Sequence, residues 1–285
     1  MKHILVTGAS GFIGKRLVKK LRTAGSIVTT ISSINGDIAE PNTFSDLNNL
    51  DVDFVYHLAG KTFVPESWSN PALFHRINVS GTLNVLELCR LKNIPMAFVS
   101  SYLYGAPKYQ PIDELHPIEP NNPYALSKAN AEDLCRFYAL HYGIPIAIFR
   151  PFNIFGPGQS KLFLIPKIID QIFEDQSISL DDLSPRRDYL YVDDLVDALL
   201  CSMSRINHFD IFNIGSGTSL SVGEIVKVIQ DCAGTNLKVR TQGKMRRNEI
   251  PDLIANIHKA KVDLQWAPKH TFIDGIKETL AARLL

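Results

Sequence analysis

A short strand-forming run, His3–Thr7 (HILVT), passes without a break into Gly8-Ala9-Ser10-Gly11-Phe12-Ile13-Gly14 and then into a helix-patterned stretch, Phe12–Thr23. Few folds place a strand, a glycine turn and a helix in such close succession. Gly8 supplies the tight turn, Gly11 lets backbone come close to a pyrophosphate, and Gly14 lets helix and strand pack together. The helix start then offers unpaired N–H groups and a partial positive charge to phosphate oxygens. Three spaced glycines alone mark only a turn. The flanking strand and helix make them a dinucleotide-binding signature, with a cradle expected from Gly8, Ser10, Gly11, Phe12, Ile13 and Gly14.

The same alternation continues through the first half. Ile27–Ile31, Phe54–Leu58, Met96–Ser100 and Ile146–Arg150 read as further strands, nearly continuous in apolar residues. That pattern suits a parallel sheet covered on both faces. Pro71–Leu91 and Tyr124–Tyr142 read as helices between them, and Gly25 and Gly143 stand where C-terminal caps are expected. Strand–helix–strand alternation implies right-handed crossovers and an α/β fold, a Rossmann-type doubly wound sheet. The second half is less regular. Pro151 to Pro166 reads as loop; Ile168–Asp175, Asp193–Met203 and Val222–Cys232 read as helices and Ile211–Ile214 as a strand. The expected division is a dinucleotide unit, 1–155 rejoined by 187–215, and a smaller discontinuous substrate unit, 156–186 with 216–285.

Composition excludes several other classes. Thirty basic against 29 acidic side chains, a net charge of +1, gives no electrostatic footprint for nucleic acid. Cys89, Cys135, Cys201 and Cys232 are far apart and form no CxxC pair, which argues against a zinc ribbon or disulfide scaffold. No metal is expected. No apolar run approaches the roughly 18 residues of a membrane span, and glycines interrupt the N-terminal apolar run too early for a secretory signal. A cytoplasmic protein with reduced thiols is the expectation.

An acid at the end of the second strand would bind the ribose 2′-OH of NAD. Ile31, Ser32 and Ser33 stand there instead. These serines can donate to a 2′-phosphate, with Arg16 in reach, or simply form a loop; the balance leans to NADP over NAD. Asp37, with Ile38 beside it, can meet the adenine amino group.

Tyr-x-x-x-Lys occurs twice. Tyr104 and Lys108 enclose Gly105 and Pro107, so no helix sets their geometry. Tyr124 and Lys128 stand at i and i+4 in a helical stretch and share a face. An ammonium beside a phenol favours phenolate and is expected to lower its reference pKa of about 10. Tyr124 thus becomes a candidate for moving a proton, with Ser100 ending the fourth strand beside the expected switch point of the sheet.

Together these features resemble the extended short-chain dehydrogenase/reductase family, the nucleotide-sugar epimerases, dehydratases and reductases. The resemblance runs through TGASGFIG at 7–14, HLAG at 57–60, NVSGT around Asn78, SSYLYG at 100–105 and YALSK at 124–128. It continues through RPFNIFGPGQ at 150–159, RDYLYVDDLVDA at 187–198 and FNIGSG at 212–217. It implies that Ser100 hydrogen-bonds the reacting oxygen, Tyr124 moves the proton, and Lys128 holds the ribose. Leu58, Ala59 and Gly60 would lie along the cofactor, and Asn78 would support the backbone. Ser101, Asn153, Arg187 and Arg246 would face the nucleotide sugar. Asp193 and Asp194 match a helix start, where N-capping is expected. Family members usually pair through two helices each; here those are Pro71–Leu91 and Tyr124–Tyr142, with Leu83, Leu134 and Phe137 as contacts of a homodimer.

Dehydratase members carry an acid after the active-site hydroxyl, whereas Ser101-Tyr102 follows Ser100 here. The stretch from the second strand to Asp37 leaves no room for a full helix, as in several 4-ketoreductases. Phe152-Asn153, Gly156 to Ser160 and Glu249 to Ile254 resemble the GDP-4-keto-6-deoxymannose reductase branch, which usually has an acidic pair after the active-site hydroxyl that this chain lacks. The expected reaction is reduction of a nucleotide-linked 4-keto sugar at C4. The alternative is a 4-epimerase that keeps NAD bound. A non-catalytic cofactor-binding regulator is a third reading, disfavoured because Tyr124 and Lys128 are both in place.

Overall fold

The computed structural model describes residues 1–243 and 249–284. In its first part the chain runs β1 (His3–Thr7), α1 (Phe12–Thr23), β2 (Ile27–Ile31), β3 (Phe54–His57), α2 (Val64–Ser69), α3 (Pro71–His75), α4 (Gly81–Lys92), β4 (Met96–Val99), α5 (Pro123–Tyr142) and β5 (Ile146–Pro151). It continues with β6 (Asn153–Phe155), α6 (Leu164–Glu174), β7 (Ser177–Leu180), β8 (Arg186–Tyr191), α7 (Val192–Ser202), β9 (Asp210–Ile214) and β10 (Ser219–Ser221). Last come α8 (Val222–Ala233), β11 (Lys238–Thr241), α9 (His258–Asp263) and α10 (Phe272–Leu284).

Six strands form one parallel sheet in the order β2-β1-β3-β4-β5-β9. Its interior alternates with the two-residue period of a strand. Ile4, Val6, Phe54, Tyr56, Ala97, Val99, Ala147 and Phe149 pack on one face with Leu17 and Leu21 of α1 and Leu195 and Leu199 of α7. Leu5, Val55, Met96, Phe98, Ile146 and Ile148 pack on the other with Val85, Leu86 and Cys89 of α4 and Ala131, Cys135 and Tyr138 of α5. Burial on both faces explains why these strands are apolar throughout. The chain leaves β1 for β2 on one side and returns to β3 on the other, so a crevice opens beyond the C-terminal ends of β1 and β3.

Several stretches depart from the sequence reading, which does not anticipate β7, β8, β10, β11, α9 or α10. Pro71–Leu91 is not one regular helix: a π-helical turn, Arg76–Ser80, separates α3 from α4. In the loop read from Pro151 to Pro166, Asn153–Phe155 pairs with β8 as a parallel strand; at three residues it is too short to show a period. The β2–β3 connection holds a 3₁₀ turn, Pro41–Asn49, where other crossovers hold α-helices. A third apolar cluster gathers Phe155, Ile168, Ile178, Ile225 and Ile276 from β6, α6, β7, α8 and α10. Among the described residues, no helix is long and apolar enough to cross a membrane.

Candidate functional site

The glycine turn leads from β1 towards the crevice. Gly8 adopts φ +72°, and a Cβ there would lie 2.6 Å from the Ala59 amide nitrogen. A Cβ on Gly14 would lie 2.2 Å from the Gly8 carbonyl oxygen. Gly8 and Gly14 thus let the β1–α1 turn, the Leu58–Ala59 backbone and the start of α1 occupy one small volume. No side chain among the described residues caps α1, and its first turn holds no acid. Its N–H groups point where an anion would sit. A nicotinamide dinucleotide fits this cradle.

His57 ends β3 beneath the turn. Its Nδ1 is 2.7 Å from Thr7 Oγ1 and its Nε2 2.9 Å from Thr82 Oγ1, which ties β1, β3 and α4 together. Complete burial, with Lys128 nearby, pushes the imidazole down to about 3. Between that value and the ordinary 6.5, the unfolded chain binds a proton that the folded chain refuses. The stability His57 contributes is therefore present above pH 6.5 and lost as pH falls towards 3. From pH 7 to 5 it should account for about 2 kcal/mol of lost stability. Urea titrations of wild type and His57→Asn at both pH values test this; an equal loss in the variant would sink the assignment.

The π turn brings Asn78 inward. It accepts from Lys61 N at 2.8 Å and donates to Lys61 O and to Ser127 Oγ, at 3.1 and 2.9 Å. It thereby fixes the Gly60–Lys61 backbone against α5, and π turns often mark such sites. Lys128 is buried on α5. Its Nζ donates to Val99 O at 2.6 Å, over the Phe98 ring, and a Cβ on Gly60 would lie 4.0 Å from it. Burial pulls Lys128 down to about 8, opposed by Glu132. One residue past β4, the buried Ser100 Oγ has no hydrogen-bond partner among the described residues, a hydroxyl free for a ligand. Tyr124 and Ser101 both border a small cavity with Val64, Tyr102, Asn121 and Ile250.

The acidified phenol expected from Tyr-x-x-x-Lys is not what the structure shows. Burial pushes Tyr124 up to about 12, with the neighbouring Ser101 opposing. Lys128 is turned to the end of β4, so desolvation decides.

The other expected residues spread along the crevice. Ser32 donates from N and Oγ to Asn35 Oδ1, at 2.6 and 3.0 Å, which closes the turn after β2. Asp37 lies 2.7 Å from Arg76, and Ile38 is buried against Gly81. Arg16 does not reach this end: it pairs with Asp193 at 3.0 Å and bonds Pro157 O, because its face of α1 packs on α7. Asp193 and Asp194 do not cap α7. The N-cap is Tyr191; Asp194 is buried and accepts from the Lys269 and His270 backbone. Asn153 Nδ2 donates to Asp188 O. Arg187 donates to Glu249 and to Ile250 O, so a carboxylate already meets the cation expected to face the substrate. Arg246 lies outside the described residues.

Sequence reasoning missed two buried groups. Asp188 accepts from Ser216 N, Ser216 Oγ, Gly217 N and Ala255 N, which locks the turn after β9 beside Arg187. Arg150, at the end of β5, clamps Glu132 of α5; the i+4 spacing of Glu132 from Lys128 was the available signal. Among the described residues no group of three or more His, Cys, Asp or Glu could hold a metal ion.

Residues 4–215 match the family model described as NAD dependent epimerase/dehydratase. A putative UDP-glucose 4-epimerase of Methanocaldococcus jannaschii is 35% identical, covering 97% of each chain. GDP-6-deoxy-D-mannose reductase of Pseudomonas aeruginosa is 32% identical over 99% of this chain and 96% of its own length. The structure of RMD from Pseudomonas aeruginosa complexed with NADPH superposes with a TM-score of 0.91 at 31% identity, covering 99% of this chain and 98% of that one.

Proposed function

Because this chain belongs to the NAD-dependent epimerase/dehydratase family, we propose that it reduces a nucleotide-linked 4-keto-6-deoxy sugar at C4. An NAD(P)-dependent oxidoreductase or epimerase of nucleotide sugars is the general class. Within it, one observation carries the reductive reading: Ser32 and Ser33 follow β2, with no carboxylate at the position where an acid would select a retained NAD. The reductase relative and its NADPH-bound neighbour support that reading, while the Methanocaldococcus relative supports 4-epimerisation as the second reading.

The bound dinucleotide, NADP(H) or NAD(H), supplies the hydride. The chain supplies the rest. The α1 terminus and the glycine turn hold the pyrophosphate, and Lys128 holds the ribose. Ser100 Oγ donates a hydrogen bond to the C4 oxygen, where negative charge develops. Tyr124, kept as a neutral phenol by burial, gives that oxygen its proton. Asn153 and Arg187 face the nucleotide and its diphosphate, Arg187 exchanging Glu249 for phosphate. The dinucleotide unit is residues 1–155 with 187–215, and the substrate unit is the remainder.

Nicotinamide absorbance, followed with 4-keto and parent nucleotide sugars and both cofactors, tests the reaction. Stoichiometric oxidation of NAD(P)H by a 4-keto sugar is expected. Interconversion of parent sugars with no net change in cofactor would replace the reductase with the epimerase.

The chain further acts as a homodimer through α4 and α5, which pack side by side. Leu83, Leu91, Phe137 and Leu140 are exposed on them, whereas Leu134 turns towards the sheet core. Light scattering on a sizing column should find a dimer for wild type and a monomer for Phe137→Asp. A monomeric wild type would refute the interface.

A further inference from the structure

Glu132 stands one helical turn beyond Lys128 on α5, and both side chains are buried. The direct contacts of the Lys128 ammonium, the Val99 carbonyl and the Phe98 ring, carry no full negative charge. Glu132 does. Arg150 grips it through Nε at 3.1 and 3.2 Å and through Nη2 at 2.6 Å. Arg150 Nη1 then donates to the Tyr104 hydroxyl at 3.0 Å, and Tyr104 donates to Asn213 Oδ1 on β9. The carboxylate is thus fixed from β5, from the loop after β4 and, through Tyr104, from β9. A buried ion pair adds little net stability, because desolvation offsets its attraction. What this one does supply is an immobile negative charge on the same buried stretch of α5, one helical turn from Lys128.

We propose that Glu132 is a positioning residue for Lys128: anchored by Arg150, its carboxylate keeps the ammonium charged for the cofactor ribose. The proposal rests on the ribose-holding role given to Lys128 above. The other titratable groups facing Lys128 are His57 on β3, Tyr124 one turn back and Cys135 two turns on. Burial holds His57 neutral and pushes the Cys135 thiol and the Tyr124 phenol up, so none of them is an anion near neutral pH. Arg150 acts on Lys128 by way of the carboxylate it grips.

Binding of NADPH and of NADH, titrated by fluorescence from neutral to alkaline pH, tests this on the full-length protein. Wild-type affinity is expected to fall as Lys128 loses its proton, near pH 8. In Glu132→Gln the fall should come about one pH unit lower. Glu132→Gln with Arg150→Gln removes both members of the ion pair, so neither is left as an unpaired charge; it should recover the melting temperature yet keep the lowered fall. Glu132→Asp, which keeps the charge, should fall where wild type does. A purely structural Glu132 predicts instead that the double variant regains the wild-type position. That result, or a wild-type position in folded Glu132→Gln, overturns the proposal; if the single variant does not fold, the double variant and Glu132→Asp decide. A wild-type affinity indifferent to pH overturns it as well, through the role of Lys128. Binding is read directly, so a failed reductase assay leaves this result standing.

Discussion

Tyr124→Phe should lower turnover of the 4-keto sugar by about 10²- to 10⁴-fold, the range for loss of a positioned general acid, while cofactor affinity stays within about twofold of wild type. The ring fills the same space, so the T-shaped contact with Phe74 survives. Only the hydroxyl disappears. Because burial holds the phenol near 12, it is a proton donor across the neutral range, and the wild-type rate should show no basic limb from Tyr124 near pH 7. Steady-state kinetics with parallel cofactor titrations make the measurement. Turnover unchanged in the variant would remove Tyr124 from the chemistry.

Gly14→Ala is the second large effect, and here helix propensity and packing disagree. Inside a helix, alanine is favoured over glycine by about 1 kcal/mol. At Gly14 the new Cβ would lie 2.2 Å from the Gly8 carbonyl oxygen and 2.8 Å from Ala9 Cα. Both are backbone atoms and cannot rotate aside. Overpacking of this kind costs about 1–3 kcal/mol, and relief would come from pushing α1 away from the turn that cradles the pyrophosphate. A net loss of roughly 2 kcal/mol and a cofactor affinity weakened more than about tenfold are expected. Gly223→Ala in α8 is the control: its nearest heavy atom is 3.7 Å away, so propensity should prevail and stability hold or rise. Thermal melts and fluorescence titrations of both variants decide. A Gly14→Ala protein as stable as wild type, with unaltered affinity, would contradict the packing argument.

Local pattern made the central sheet and its cradle legible. Strands buried on both faces are apolar throughout, and the α1 and α5 helices begin and end at glycine or proline signals, so β1, α1, β2 and α5 were located to within a residue. Tyr124 and Lys128 share a helical face by spacing alone. The π turn that aims Asn78 was hidden because it leaves the apolar count of a helix almost unchanged. The short strands β6 and β10 were hidden because three residues carry no period.

Sequence by itself thus determined a parallel α/β sheet with a dinucleotide cradle and a Tyr–Lys pair above it, since each rests on neighbours a few residues apart. Tertiary structure decided which partners the charged groups take. Arg16 pairs with Asp193 across 177 residues, Arg187 with Glu249 across 62, and Arg150 with Glu132 from a different element. Those choices depend on which helix face meets which strand end, information that no local period carries. Burial likewise decided the state of Tyr124, because the cost of desolvating a phenolate exceeds what a lysine turned towards Val99 can return.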